Sequence, residues 1–157
     1  MTQIPTRPSA LYSIGYEKAA FADVLLILQS HGITRIIDVR DLPLSRRPGF
    51  SKRQLAAGLQ QGGIDYVHLR ALGTPPAGRE ANRRRQWSLF WEIVEAKLAS
   101  TEAERDLHRA ADLALEAPSC LLCYEADYCI CHRRRVGDIL SARHGFELRH
   151  LTVHAPP

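Results

Sequence analysis

Apolar and polar positions alternate between two periods along this chain. Leu11 to Tyr16 is a short apolar run ending in a glycine turn at Gly15, and it predicts a strand. Phe21, Val24, Leu25 and Leu28 then recur at helical spacing, with His31-Gly32 as the stop. Arg35 to Val39 predicts a second strand. Ser51-Lys52-Arg53-Gln54 reads as a capping box opening a helix through Leu55 and Leu59, closed by Gly62-Gly63. Ile64 to Leu69 alternates as a third strand and leads into a loop over Gly73 to Gly78. Trp87, Phe90, Trp91, Val94 and Leu98 form the apolar stripe of a long helix. Thr101-Glu102-Ala103-Glu104 reads as a second capping box, and the helix it opens stops before Pro118. Ser119 to Cys123 predicts a fourth strand, Val136, Ile139 and Leu140 a last helix, and Phe146 to Leu151 a last strand.

Strands alternating with helices predict an α/β fold: a single domain with a mostly parallel sheet of about five strands and helices on both faces. The domain is expected over 11–154, behind an N-terminal tail at 1–10. In such sheets ligands bind beyond the carboxyl ends of the strands. Four loops should share that edge: Gly15-Tyr16, Asp38 to Arg47, Leu72 to Gly78, and Glu125 to Arg133. Most of the polar residues of interest fall in those loops.

Composition changes this picture little. With 157 residues, 45% hydrophobic and 24% charged, the chain has the make-up of an ordinary globular domain. Its longest aliphatic run, Val24 to Leu28, is far too short to span a membrane, and no secretory signal opens it, so a cytoplasmic protein is expected. In that compartment the four cysteines are expected as free thiols. The net charge of +4 is concentrated in Arg46-Arg47, Arg83 to Arg85 and Arg133 to Arg135. Clustered arginine suits an anionic small molecule or nucleic acid; solvated helix faces produce such clusters too, and Arg83 to Arg85 is read as one of those.

All four cysteines lie between Cys120 and Cys131, with Glu125, Asp127, His132 and Arg133 to Arg135 in or just after the segment. Three readings follow. A zinc knuckle would use Cys120-x2-Cys123 and Cys129-x-Cys131-His132, but the first pair sits inside a strand, where residues three apart face opposite ways. A nucleophile would be Cys131, near a helix N-terminus, or Cys123 at the strand end. An anion pocket would use Arg40, Arg46 or Arg47, and Arg133 as hydrogen-bonding forks, with backbone donors from the last helix. Asp38 and Arg40, two apart, project to the same side, so Asp38 is a natural partner for that arginine.

Ser13-Ile14-Gly15-Tyr16, Ile37-Asp38-Val39-Arg40-x2-Pro43-x-Ser45-Arg46, Phe50-Ser51-Lys52, Gly63-Ile64-x-Tyr66, Leu72-Gly73, Leu122-Cys123-Tyr124-Glu125 and Cys131-His132-Arg133 together resemble the domain-of-unknown-function family numbered 488. The resemblance runs from about Tyr12 to His150. It implies a bacterial or archaeal α/β domain whose shared polar residues are Asp38, Arg40, Ser45, Glu125, Cys131, His132 and Arg133, and it supplies no reaction. Tyr16 stands where that family usually has histidine, its Leu-Gly-Gly turn is Leu72-Gly73-Thr74 here, and Cys120 and Cys129 lie outside its pattern. Ile37 to Arg40 and the strand ending at Cys123 more weakly resemble rhodanese domains, which would imply sulfur transfer.

The expected function is binding of, or action on, an anionic, phosphate-bearing ligand such as a nucleotide or nucleic acid. Glu125, His132 and Asp38 are the candidate catalytic groups. Arg40, Ser45, Arg46, Arg133, Cys131 and Tyr16 are the candidate ligand-binding ones. Sulfur transfer through Cys123 or Cys131 and a non-catalytic nucleic-acid module are the alternatives. No metal or cofactor is expected, and the oligomeric state is left open.

Overall fold

The computed structural model describes residues 9–153. Most of the segment expected as an N-terminal tail lies outside the described residues, and Ala10 already opens the first strand. Five strands, β1 (Ala10–Gly15), β2 (Arg35–Asp38), β3 (Asp65–His68), β4 (Ser119–Cys123) and β5 (Glu147–Leu151), form one sheet in the order β3-β2-β4-β1-β5. Every pairing is parallel. Six helices connect them: α1 (Phe21–Ser30), α2 (Lys52–Gln61), α3 (Pro76–Arg83), α4 (Trp87–Leu98), α5 (Thr101–Glu116) and α6 (His132–His144).

The period of two in the strands sorts side chains onto two cores. Tyr12, Ile14, Ile36, Cys120 and Leu122 face Val24 and Leu28 of α1 and Leu55 and Leu59 of α2. Leu11, Ile37, Leu121 and Cys123 face the other way, onto α4, α5 and α6. Both faces are therefore covered, as an all-parallel sheet requires.

The strand order has one consequence for function. After β1 the chain crosses by α1 to β2, whereas after β4 it crosses by α6 to β5, in the opposite direction and over the opposite face. The two connections diverge between β1 and β4, which opens a crevice beyond their carboxyl ends. Gly15 and Cys123 are register partners at that point.

Three local expectations are corrected. The Gly73–Gly78 stretch is not wholly loop: α3 begins inside it at Pro76, because proline is well suited to the first turn of a helix, where its missing N–H has no partner to lose. Ser51 does stand at the N-cap of α2, but its hydroxyl makes no capping bond. It accepts from the Ser45 backbone N–H and donates to the Ser45 carbonyl, both at 3.1 Å, while Gln54 accepts from the Gly49 N–H. The would-be capping box thus braces the loop after β2. The box predicted at Thr101 is displaced by one residue: Ser100 is the N-cap of α5, its side chain accepting from the Ala103 N–H at 3.2 Å. Glu104 turns instead to Arg143 and His108.

This register is testable. Ser100→Ala should cost about 1 kcal/mol in urea-unfolding stability, while Thr101→Ala should leave the midpoint nearly unchanged. Equal losses in the two variants would contradict the assigned cap.

Candidate functional site

The loop after β4 is fastened to β1 by backbone and side-chain bonds together. Tyr16 N–H donates to the Cys123 carbonyl at 3.2 Å, and Glu17 N–H to the Tyr124 carbonyl at 2.8 Å. A Cβ on Gly15 would lie 1.8 Å from the Glu125 carbonyl oxygen, so only glycine permits this approach. Arg133, the largest fully buried side chain, reaches back from the first turn of α6. Its Nε donates to Ser13 Oγ at 3.1 Å, and its terminal nitrogens donate to the Glu125 and Ala126 carbonyls. Ser13 in turn bonds His150 of β5, on which Tyr128 stacks with centroids 3.8 Å apart.

A second network holds the loop after β2. Arg40 grips Asp38 through Nε at 2.9 Å and Nη2 at 2.8 Å, and Nη1 donates to Tyr16 Oη at 3.1 Å and the Phe50 carbonyl at 2.7 Å. The Tyr66 hydroxyl donates to the same Asp38 carboxylate. Although burial opposes its charge, the bond to Asp38 and that carboxylate's charge hold Arg40 firmly protonated. Burial and the Asp38 charge push the Tyr66 hydroxyl well above its ordinary value. The expected Asp38–Arg40 partnership is present, and it leaves Arg40 a single N–H for any ligand. Removing one charge of a buried pair strands the other. Asp38→Asn should therefore lower unfolding stability by about 3–5 kcal/mol in denaturant titration; a loss below about 1 kcal/mol, the worth of a surface pair, would mean that the network is not structural.

Between these loops lies a cavity of about 660 Å³, on the crevice where β1 and β4 diverge. Its rim carries Arg46, Arg47, Arg79 and Arg83, Arg40 is buried deeper, and the acids Glu17, Asp41 and Glu125 also line it. Arg79 is engaged by Asp41 at 2.7 Å and Arg83 by Glu80. Among the described residues no hydrogen bond or salt bridge engages the exposed Arg46 side chain. Arg47 uses only its Nε, on the Ala19 carbonyl at 2.8 Å, and its amide is held by Ser45 Oγ at 3.0 Å. Helix α3 supplies one wall, where Asn82 donates to the Ile130 carbonyl at 2.7 Å. Tyr16 lines the cavity with its ring stacked on Phe50.

Cys123, Glu125 and His132 form the floor. His132 Nε2 is 2.8 Å from the Val39 carbonyl. A carbonyl only accepts, so Nε2 carries a proton and Nδ1 faces the sulfurs. Nδ1 is 3.7 Å from Cys123 Sγ and 4.0 Å from Cys131 Sγ, and Cys123 Sγ is 3.7 Å from Glu125 Oε2. Cys131 is fully buried at the N-cap of α6, where the helix dipole favours a thiolate. Burial opposes ionisation there, yet hydrogen bonds from Cys123 and His132, with the charges of His132 and Arg133, draw the Cys131 thiol well below its ordinary value. Cys123 moves the other way: its bond to Cys131, burial and the Cys131 charge keep it protonated. Burial and the same charge push Glu125 up to about 8.

With this geometry in place, the family model described as Domain of unknown function DUF488 matches residues 20–140. The chain belongs to that family. No curated protein and no solved structure matches it. This DUF488 domain brings the expected Tyr16, Arg40, Ser45, Arg46, Glu125 and His132 to one cavity. Arg133 and Asp38 stand behind it as braces, and Cys131 lies beneath its floor. Of the four thiols, Cys120 faces the α1–α2 side and Cys129 is exposed, so a four-cysteine knuckle does not form. Cys123, Cys131 and His132 do converge, their donor atoms all within 4.8 Å of one another. Arg47 is the expected alternative to Arg46 as an anion-binding fork. Tyr66 and Asn82 are additions: Tyr66 stands in the Gly63-Ile64-x-Tyr66 motif with no expected role, and Asn82 carries no signal in the sequence.

The Gly15 contact gives a direct check on the site's assembly. Gly15→Ala should cost about 1–3 kcal/mol and displace the Tyr124–Ala126 loop, seen as faster amide exchange at Glu17 and Ala126 than elsewhere. Unchanged exchange there would disprove the close approach.

Proposed function

We propose that this DUF488 domain takes a phosphate-bearing small molecule of about nucleotide size into the cavity and acts on it with the groups of the floor. The observation that carries the reading is the pairing of a rim holding uncommitted guanidinium donors with a floor of thiol, imidazole and carboxyl, all at the strand-end crevice. Arg46 and the terminal nitrogens of Arg47 would take the phosphate oxygens through charge-assisted bonds. Arg40 would add its remaining N–H. Glu125, which lines the cavity, would be the group able to exchange protons with the ligand, and His132, whose Nδ1 faces the sulfurs, would act through the Cys123 thiol. The volume lies within the ordinary range for small-molecule sites.

The arginine runs argue for an enclosed ligand over a nucleic-acid surface. Arg83 and Arg84 both pair with Glu80, Arg135 with Glu95, and Arg134 approaches Asp138 at 3.9 Å. Most of those guanidiniums are therefore held by neighbouring carboxylates, although Arg83 and Arg84 share one. Sulfur transfer is the second reading, and it is favoured at Cys123 over Cys131 because Cys123 opens onto the cavity. A persulfide there would face Glu125 Oε2 at 3.7 Å, which disfavours an added anion whenever that carboxyl is ionised.

Calorimetric titration with inorganic phosphate, nucleoside monophosphates and short single-stranded RNA separates the readings. A nucleotide should bind, and Arg46→Ala with Arg47→Ala should weaken it by roughly 10-fold or more, one to two charged hydrogen bonds. No binding of any phosphate compound, or full affinity in the folded double variant, would reject the proposal. Tight RNA binding that collapses steeply with salt would favour the nucleic-acid module instead. A sulfur adduct on Cys123 after thiosulfate, found by mass spectrometry, would favour sulfur transfer.

A further inference from the structure

Two thiols and one imidazole nitrogen meet at the floor, and a nucleophile–base pair needs only one thiol. Cys131 is fully buried and cannot reach a ligand in the cavity, while Cys123 and His132 line it. A second sulfur in that position has a purpose if all three atoms face a common point. We propose that Cys123, Cys131 and His132 form a binding site for a zinc-class divalent cation, with its fourth position directed to the cavity and open to Glu125 or to an oxygen of the ligand.

The spacing suits the ion. Tetrahedral zinc, with bonds of about 2.3 Å to sulfur and 2.0–2.1 Å to nitrogen, sets its ligand atoms about 3.5–3.8 Å apart. Here Nδ1 stands 3.7 and 4.0 Å from the two sulfurs, and the three donors lie within 4.8 Å of one another. Glu125 Oε2, at 3.7 Å from Cys123 Sγ, stands at a fourth-ligand distance from that sulfur. The Nε2–H bond to the Val39 carbonyl does what a supporting bond does for a ligating histidine: it fixes the tautomer and aims the other nitrogen. The donors are also rigidly held, Cys123 by the last position of a buried strand and Cys131 and His132 by the start of α6.

Two thiolates and a neutral imidazole are the donor set zinc prefers over magnesium or calcium. Coordination expels the protons that the sulfurs and Nδ1 share, so uptake releases acid to the solution. An open fourth position marks a catalytic kind of site rather than a closed structural one. A role as Lewis acid toward an anionic ligand rests on the reading above, whereas the site itself does not.

The test is titration of the chelator-treated full-length protein with Co2+ as a spectroscopic probe. Thiolate-to-cobalt charge-transfer absorption and tetrahedral visible bands should rise and saturate at one equivalent, and Zn2+ should bleach them. Cys123→Ser and Cys131→Ser should each reduce the charge-transfer absorption, and His132→Gln should shift the visible bands. Cys129→Ser, which alters an exposed thiol outside the set, should change nothing. Absence of the charge-transfer band in the wild-type protein overturns the inference regardless of how the variants fold. So does a band of undiminished intensity in both single variants, or one that persists in the double variant Cys123→Ser with Cys131→Ser. Phosphate-compound titrations repeated with and without Co2+ keep the two readings apart. Nucleotide binding without cobalt uptake rejects the metal site alone, and cobalt uptake without nucleotide binding rejects only the anion reading.

Discussion

The site depends on a buried arginine whose partners are carbonyls. Arg133 is wholly shielded from water, and its guanidinium is satisfied by the Glu125 and Ala126 carbonyls and by Ser13 Oγ. No carboxylate pairs with it among the described residues, so its attraction for negative charge is not cancelled where it stands. That matters because its charge adds to the bonds from Cys123 and His132 that lower the thiol of Cys131, two residues before it in sequence. The same side chain carries out the mechanical task. It draws the β4–α6 loop onto β1, which sets Glu125 over Gly15 and brings Cys131 back toward Cys123. A lysine would offer one charge and no planar fork to span those acceptors.

The second network is complementary in kind. Asp38 and Arg40 neutralise each other, and Tyr16, Tyr66 and the Phe50 carbonyl take up most of what remains of their bonding capacity. A group so fully engaged is a poor ligand for a passing anion. Its value lies in stiffening the loop that presents Ser45, Arg46 and Arg47. The positive groups near the cavity thus divide: Arg40 and Arg133 inside hold the loops, Arg79 and Arg83 at the rim are held by Asp41 and Glu80, and Arg46 and Arg47 keep donors free. Burial raises the cost of an unsatisfied donor, so every nitrogen of the inner arginines has an acceptor, and Arg40 keeps a single N–H to spare.

How much of this was legible from the residues follows from the same division. Strands and helices were readable wherever apolar residues kept one period, as in Ser119–Cys123 or along Trp87 to Leu98, and the all-parallel α/β sheet follows from their alternation. Helix α3 was hidden because Pro75-Pro76-Ala77-Gly78 has the composition of a loop, and its helical start depends on proline's neutrality at the first turn. Ser51 braces a loop instead of capping because a hydroxyl can satisfy either a helix N–H or a neighbouring loop, and the choice is tertiary. The Thr101 box is off by one because Ser100 and Thr101 offer equivalent hydroxyls side by side. The convergence of the polar loops was legible, since it is a property of parallel topology. Which arginine brings free donors was not, because that is decided by acceptors distant in sequence, such as Ala19 for Arg47.

The cysteines show the limit most clearly. Spacing argues against a metal knuckle when Cys120 and Cys123 are taken as a pair, and the structure separates them onto opposite faces of β4. Spacing is silent, however, about a ligand set assembled by a loop that returns. Cys123 ends the strand, the chain turns through Tyr128–Ile130, and Cys131 re-enters at the helix start beside it. Eight residues of separation become neighbouring sulfurs because Arg133, Asn82 and the Tyr128–His150 stack all pin that excursion down. The chemistry of the floor is therefore a product of loop anchoring. Cys123 and Cys131 share Nδ1 of His132 only while the loop stays closed, so any change that loosens Arg133 should disperse the donors before it disturbs either core.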